Sequence, residues 1–149
     1  MNKEAVLNKI TDSGLVAVVR GMEINKLEQV ISALEAGGVK AFEITLNSPQ
    51  PLETIKQLKK RFKGSSAVVG AGTVLDAATG RAAILAGAEF VFGPNLNRDL
   101  IEVCNRYNKL VIPGVMTPTE VVNAYQAGAD LVKIFPAQSV GPDHLKSLS

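Results

Sequence analysis

Four polar side chains interrupt apolar runs of the sequence. Arg20, Glu43, Thr73 and Lys133 each lie in or next to a run of aliphatic residues that is typical of a buried β-strand. A charge in such a place costs several kcal/mol when it has no partner. We therefore expect these side chains either to carry out chemistry or to compensate one another.

The chemical types of the four side chains suit a reaction at a carbonyl group. An apolar surround disfavours the ammonium form of Lys133, and a neutral amine can attack a carbonyl carbon to form a Schiff base. A carboxyl group in a partly dry pocket, such as Glu43, can act as acid and base in turn. The guanidinium of Arg20 and the hydroxyl of Thr73 can hold an anion. Together they predict a 2-keto acid as substrate.

Strand context alone leaves simpler interpretations open. Lys133 and Glu43 are also compatible with a buried salt bridge that has no catalytic role. Arg20 at a strand end is equally compatible with a surface ion pair. Thr73 carries the weakest signal, because threonine is common in strands.

The elements that must position these residues alternate along the chain. Short apolar runs predict strands, and amphipathic stretches between them predict helices. The predicted strands are 15–19, 41–46, 67–74, 90–94, 110–115 and 131–136. The predicted helices are 1–14, 25–36, 49–62, 77–86, 98–107, 118–127 and the start of one over 141–149. Buried strands that alternate with helices indicate a parallel sheet, either open or closed into a barrel.

Several boundaries of these helices are signalled locally. Gly37, Gly87 and Gly128 follow similar helical phrases and are predicted to be left-handed helix terminators. Thr117-Pro118-Thr119-Glu120 predicts an N-cap, a proline in the first turn and a capping box.

Strand alternation predicts where the polar side chains point. It places Thr73 on the face of Val69 and Ala71, and Glu43 on the face of Thr45. In a barrel, the polar residues would meet near the carboxyl ends of the strands, where such barrels carry their active sites.

Composition excludes several classes of function. The net charge of +2, from 16 basic and 14 acidic residues, is too small to indicate binding to nucleic acid or to a membrane. The single cysteine, Cys104, cannot form an internal disulfide, which favours a cytoplasmic protein, and we expect it to be a buried structural thiol. With one histidine, His144, predicted on a helix surface, no spacing resembles a zinc site. We expect small-molecule partners and no metal or other cofactor.

Five phrases occur in an order that resembles a known enzyme family. The phrases are Val18-Val19-Arg20, Phe42-Glu43-Ile44-Thr45-Leu46, Gly70-Ala71-Gly72-Thr73-Val74, Ile112-Pro113-Gly114-Val115 and Val132-Lys133-Ile134-Phe135-Pro136-Ala137. From about residue 15 to residue 148, the chain resembles the 2-keto-3-deoxy-6-phosphogluconate and 4-hydroxy-2-oxoglutarate aldolase family. The resemblance implies an α/β fold of the TIM (β/α)8 barrel family.

The resemblance also implies roles for the residues. Lys133 would be the Schiff-base lysine, Glu43 the proton acceptor and donor, and Thr73 a contact to the pyruvate portion, while Arg20 resembles the arginine of the first strand. The reaction implied is the reversible cleavage of 2-keto-3-deoxy-6-phosphogluconate to pyruvate and glyceraldehyde 3-phosphate, without metal. The expected setting is a cytoplasmic homotrimer of the Entner-Doudoroff pathway. Further substrate contacts are predicted at Thr45, Asn47 and Pro94.

The sequence departs from the family pattern in two places. Asn47 stands where the gluconate-type enzymes usually carry an arginine, and Leu46-Asn47-Ser48-Pro49-Gln50 resembles the 2-keto-3-deoxy-6-phosphogalactonate branch. Only about six of the eight βα units of a barrel are present, so residues 1–149 are interpreted as one aldolase barrel domain truncated at its C-terminus. Two alternatives stay open: a phosphogalactonate aldolase, and a non-catalytic fragment that binds metabolites or assembles with other chains.

Overall fold

Parallel strands and helices alternate along the chain in the computed structural model, which describes residues 2–148. The strands are β1 Ala17–Val19, β2 Ala41–Thr45, β3 Val68–Gly72, β4 Phe90–Phe92, β5 Leu110–Ile112, β6 Gly114–Val115 and β7 Lys133–Ile134. The helices are α1 Lys3–Ser13, α2 Ile24–Ala36, α3 Pro51–Arg61, α4 Ala77–Ala86, α5 Arg98–Arg106, α6 Pro118–Gln126 and α7 Gly141–Leu148, with a 3-10 turn at Ala137–Ser139. Residues 1 and 149, which the predicted terminal helices include, lie outside the described residues.

The strands form two parallel sheets rather than one. Strands β1 to β5 are hydrogen-bonded in chain order, and β6 pairs with β7. The predicted strand 110–115 is therefore split at Pro113, because proline has no N–H with which to continue the ladder. The carbonyl of Pro113 accepts a hydrogen bond from the backbone N–H of Lys133 at 2.9 Å. This bond fixes the start of β7 beside β6.

Helix boundaries agree with the local signals, with one exception. Thr117 and Glu120 form the predicted capping box at the start of α6. Gly87 and Gly128 have left-handed φ values of 115° and 88°. The prediction for Gly37 was wrong, because its φ is −78° and Gly38, at 92°, is the left-handed residue. Helix α2 ends at Ala36 as predicted, and the hydrogen bond from the N–H of residue 39 to the carbonyl of residue 34 closes its end with the left-handed residue one position later than predicted.

The apolar residues pack in two clusters on opposite faces of the main sheet. The outer cluster lies between the strands and the surrounding helices and includes Ile31, Phe42, Ile55, Val69 and Ile101. The inner cluster consists of Val6, Ile10, Ala41, Val68, Phe90, Leu110 and Ile112. Four of its members are the first residues of β2 to β5, so α1, which contributes the first two, covers the amino ends of these strands.

The predicted orientation of Thr73 assumed strand alternation, and β3 ends one residue before it. Val69 and Ala71 pack in the outer cluster, whereas Glu43 lies opposite Gly70 in the register of β2 and β3, on the other face of the sheet. Thr73 follows the end of β3 and has a left-handed φ of 58°, so strand alternation no longer applies to it.

Candidate active site

Lys133 lies on the short strand β7 among aromatic rings. Its Nζ is 4.4 Å from the ring centroid of Phe135 and 5.6 Å from that of Phe92. Leu131 packs against the inner cluster two residues earlier, on the same face of the chain. The side chain is only half-buried, so its amine is held between apolar surfaces and remains accessible to a small molecule.

Glu43 lies on β2 and is 3% exposed. Burial raises the pKa of its carboxyl group above the ordinary value, while the positive charges of Lys133 and then Arg20 act to lower it. The carboxylate lies against Gly72 of β3, where an added Cβ would overlap Oε1. Glycine at this position therefore leaves the room that the glutamate occupies.

Lys133 and Glu43 influence each other without forming an ion pair. Among the described side chains, which leave out those of residues 24 and 25, no carboxylate oxygen lies within 4.0 Å of Lys133 Nζ, and none of these side chains donates a hydrogen bond to Glu43. The alternative of a buried salt bridge requires such a contact, so this conformation does not support it. The two groups therefore interact through their charges without direct pairing.

Arg20 follows β1, and two hydroxyl groups hold the backbone beside it. Ser48 Oγ accepts a hydrogen bond from the N–H of Gly21 at 2.9 Å and lies 2.8 Å from Thr45 Oγ1. Thr45 Oγ1 donates to the carbonyl of Val19 at 3.5 Å. Thr45 is fully buried, and the partners of its hydroxyl in this structure are protein groups, so its predicted contact with substrate stays a prediction.

The other predicted substrate contacts lie in loops at the carboxyl ends of the strands. Thr73 is half-buried after β3, Pro94 is half-buried after β4, and Asn47 is exposed between β2 and α3. The backbone of Pro94 approaches Gly114 so closely that a Cβ at residue 114 would overlap it. In the described part of the chain, these three side chains form no hydrogen bond with Lys133 or Glu43.

Sequence analysis did not identify Gly72 or Ser48 as parts of the site. A glycine inside a strand is a general sign of close approach by another group, and this signal was present for Gly72. Ser48 has no comparable signal, because its contact with Gly21 joins residues 27 positions apart.

Features away from this site have structural explanations. Cys104 is fully buried, and burial raises its pKa to about 12, as expected for a structural thiol. His144 is half-buried, with Nε2 2.6 Å from the carbonyl of Met116, rather than on the open surface.

Among residues 2–148, no three histidine, cysteine or carboxylate side chains are grouped as metal ligands. None of the described helices has the length and apolar content needed to cross a membrane.

A cavity of about 610 Å³ lies at the opposite end of the sheet, beside the end of α3. Its lining includes Lys59, Lys63 and the buried carboxylate of Glu89. Glu89 is 2.6 Å from the amine of Lys59 and accepts a hydrogen bond from the N–H of Val69 at 3.3 Å. Its charge is compensated within the protein, and the cavity is remote from Lys133.

Comparisons with known proteins identify the family of the chain. The family model described as "KDPG and KHG aldolase" matches residues 6–149. The chain is 35% identical to the 2-dehydro-3-deoxy-6-phosphogalactonate aldolase of Escherichia coli, over 90% of this chain and 65% of the relative. It is 40% identical to the 2-dehydro-3-deoxy-phosphogluconate aldolase of Pseudomonas aeruginosa, over 78% of this chain and 53% of the relative. The chain thus spans about two thirds or less of the length of these relatives.

A solved structure gives the same result for the fold. The KDPG aldolase of Legionella pneumophila, with pyruvate captured as a covalent carbinolamine, superposes with a TM-score of 0.86 at 28% identity, covering 95% of this chain and 68% of that one. The predicted fold, part of a (β/α)8 barrel, is confirmed. The chain belongs to the KDPG and KHG aldolase family.

Proposed function

We propose that the protein is a class I aldolase that reversibly cleaves 2-keto-3-deoxy-6-phosphogluconate to pyruvate and glyceraldehyde 3-phosphate. The observation that carries this proposal is the proximity of an amine, on Lys133, to a carboxyl group, on Glu43, whose pKa the charge of the amine acts to lower. Lys133 presents an amine between two aromatic rings, and Glu43 presents a buried carboxyl group that accepts no hydrogen bond from the side chains that the structure describes. An amine and a carboxyl group that are near each other but not ion-paired can act in sequence on one substrate.

The chemistry follows from these two groups. The Lys133 amine attacks the C2 carbonyl to form a carbinolamine, which loses water to give a protonated imine. Glu43 takes the proton of the C4 hydroxyl, the C3–C4 bond breaks, and its electron pair moves into the imine, which yields the aldehyde and an enamine. Glu43 returns the proton to C3, and water then releases pyruvate and restores the amine.

We propose that Arg20 and Thr73 bind the carboxylate of the keto acid, and that Asn47 and Pro94 contact the remainder of the substrate. A guanidinium can form two parallel hydrogen bonds with a carboxylate. Arg20 is exposed at the end of β1 and has no carboxylate partner within the described residues, so its charge is available.

A phosphogalactonate substrate is the second candidate. Asn47 lies in the segment that resembles the phosphogalactonate branch, and one of the relatives named above is an aldolase of that type. The two substrates differ in the configuration at C4, the carbon whose bond breaks. Comparison of kcat/KM for the two epimers decides between them, because a preferred epimer is the one whose transition state is bound more tightly.

Imine formation is tested by borohydride reduction in the presence of pyruvate, followed by intact mass and peptide mapping. We expect a pyruvate-derived adduct confined to Lys133 and no detectable adduct in Lys133→Arg, because a guanidinium remains protonated and cannot attack a carbonyl. Lys109→Arg is the matched control, since Lys109 is also half-buried but lies before β5, at the other end of the strands. Absence of an adduct on the folded chain would favour the non-catalytic alternative.

We further propose that residues 1–149 act as one domain in a cytoplasmic homotrimer of the Entner-Doudoroff pathway, with small molecules rather than nucleic acid or membranes as partners. The family resemblance supports this assembly. Val122 and Tyr125, one turn apart on α6, are 53% and 79% exposed, which provides apolar surface for a second copy. Light scattering coupled to size-exclusion chromatography tests the trimer, and a monomeric mass would contradict it.

A further inference from the structure

A chain of hydrogen bonds crosses from the loop after β2 to the loop after β1. The N–H of Gly21 donates to Ser48 Oγ at 2.9 Å, and the two hydroxyls of Ser48 and Thr45 are 2.8 Å apart. Thr45 Oγ1 donates to the carbonyl of Val19 at 3.5 Å. Either hydroxyl can be the donor in the contact between Ser48 and Thr45. This series of hydrogen bonds therefore ends at Gly21 and Val19, the residues immediately after and before Arg20.

Strand β2 fixes the position of Ser48 in this series of hydrogen bonds. The N–H of Ser48 donates to the carbonyl of Thr45 at 3.0 Å, which closes a turn directly after the strand. Thr45 is two residues beyond Glu43 on the same strand and on the same face. The backbone around Arg20 is therefore held relative to the strand that carries Glu43.

Arg20 has few other restraints. Its side chain is exposed, and within residues 2–148 it has no ion pair that would fix the guanidinium. The following residue, Gly21, has a left-handed φ of 65°, so the chain turns sharply away from the sheet at this point. The position of the guanidinium thus depends on where the backbone of residues 19–21 is held.

We propose that Ser48 is a positioning residue for substrate binding: together with Thr45, it holds the backbone on both sides of Arg20 so that the guanidinium faces the carboxylate of a keto acid bound at Lys133. This inference rests on the proposed aldolase function. The charge of Arg20 contributes to lowering the pKa of Glu43, so a displaced Arg20 also changes the titration of Glu43.

The test is the exchange of the methyl hydrogens of pyruvate for deuterium in D2O, followed by NMR at several pyruvate concentrations. Imine formation at Lys133 acidifies C3, Glu43 removes a proton, and return of a deuteron labels the methyl group. For Ser48→Ala we expect KM for pyruvate to rise about fivefold, the loss typical of one hydrogen bond, with kcat changed by less than about twofold. Ser48→Thr keeps the hydroxyl and should restore KM.

Two further readouts separate positioning from a general structural role. In an Arg20→Ala background, Ser48→Ala should cause no further rise in KM, because its effect passes through Arg20. The acid limb of the pH profile of exchange should move to higher pH in Ser48→Ala, since less positive charge then acts on Glu43. Ser65→Ala is the matched control: it removes a hydroxyl that accepts from the N–H of Ala67 at 3.0 Å, before β3 at the other end of the sheet.

The outcomes distinguish this inference from the proposed function. If the unmodified chain exchanges the methyl hydrogens of pyruvate and Ser48→Ala has the same KM and pH profile, the positioning role is overturned and the proposed function stands. Equal effects of Ser48→Ala with and without Arg20 would also overturn it. Absence of both exchange and a borohydride adduct in the unmodified chain would overturn the proposed function, and the positioning role with it. Ser48→Cys, which keeps the volume and weakens the hydrogen bond, provides the same comparison if Ser48→Ala does not fold.

Discussion

At the scale of single residues, Glu43 experiences opposing effects on one carboxyl group. Burial of a side chain that is 3% exposed favours the protonated form, and the nearby charges of Lys133 and Arg20 favour the ionised form. Burial has the larger effect, so the pKa of Glu43 lies above its ordinary value. A carboxyl group of this kind exchanges protons more readily near neutral pH than an exposed glutamate does.

The raised pKa of Glu43 predicts a pH dependence of stability. A group whose pKa is higher in the folded state contributes stability below its unfolded pKa, and this stability is lost as pH rises through the folded value. We therefore expect Glu43→Gln to become more stable relative to the unmodified chain as pH rises above 4.5. Urea unfolding at several pH values between 4 and 8 measures the difference.

Glu120→Gln supplies a control with the opposite sign. Hydrogen bonds from Met116 and Thr117 lower the pKa of Glu120, so its contribution to stability is present above pH 4.5 and is lost as pH falls. We expect Glu120→Gln to be destabilising at neutral pH and less so in acid. A difference between Glu43→Gln and the unmodified chain that does not vary with pH would contradict the prediction for Glu43.

At the scale of elements, the pairing of β2 with β3 gives the site its shape. The register places Glu43 beside Gly70 and Thr45 beside Gly72, so β3 presents no side chains towards these polar residues. The ring of Phe90 occupies the space at Gly70, and the carboxylate of Glu43 occupies the space at Gly72. The two glycines of one strand thus accommodate a core aromatic ring and a reactive group.

Gly72→Ala should separate proton transfer from imine formation. The added Cβ overlaps the Glu43 carboxylate and displaces it, so we expect pyruvate exchange to fall about 100-fold, the scale of losing a general base. Borohydride should still trap pyruvate on Lys133, more slowly than in the unmodified chain. Gly37→Ala is the matched control, because φ there is −78° and the nearest atom to a new Cβ lies at 3.4 Å. If Gly72→Ala exchanges the methyl hydrogens of pyruvate as fast as the unmodified chain, the added Cβ does not displace the Glu43 carboxylate and the prediction is wrong.

The limits of sequence analysis are visible among the same elements. Alternation of apolar and amphipathic stretches was sufficient to predict helices α1 to α7 and six strand regions, because burial of whole elements follows local periodicity, but it did not separate β6 from β5. The split at Pro113 and the left-handed φ of Thr73 depend on neighbouring strands, which a single sequence does not reveal. Gly38 was missed because adjacent glycines offered two equivalent ends for α2.

The candidate site was partly predictable for a related reason. Lys133 and Glu43 were identified because a charge inside an apolar run is conspicuous in one dimension. Ser48 acts through a contact with Gly21, and no local signal indicates that contact. Gly72 carried the general signal of a glycine inside a strand, but that signal does not show that Glu43 is the group that approaches it.

At the scale of the whole molecule, α1 closes the end of the sheet opposite the site. Val6 and Ile10 are 1% and 8% exposed and pack on the first residues of β2 to β5. Lys3, at the start of α1, forms an ion pair with Asp130 at 2.9 Å and a hydrogen bond with Asn105 at 2.6 Å. These contacts join the N-terminal helix to the segments before β5 and β7.

Ile10→Ala should therefore weaken the fold while leaving the reactive groups in place. Truncation of a buried isoleucine in the inner cluster should cost about 2–4 kcal/mol in the free energy of unfolding. Denaturant unfolding measures this loss, and Asn8→Ala, an exposed position on the same helix, should change little. Borohydride trapping on Lys133 should persist in the folded fraction. A loss below about 0.5 kcal/mol would show that α1 contributes little to the inner cluster.

The buried state of Cys104 has a practical consequence for optical work on this protein. The chain has a single native thiol, and that thiol is fully buried and remains protonated at ordinary pH because its pKa is about 12. Maleimide dyes react with accessible thiolates, so the folded chain should stay unlabelled. A cysteine introduced at the exposed position of Tyr125 would then carry the only fluorophore, and energy transfer between labelled copies would report association in solution.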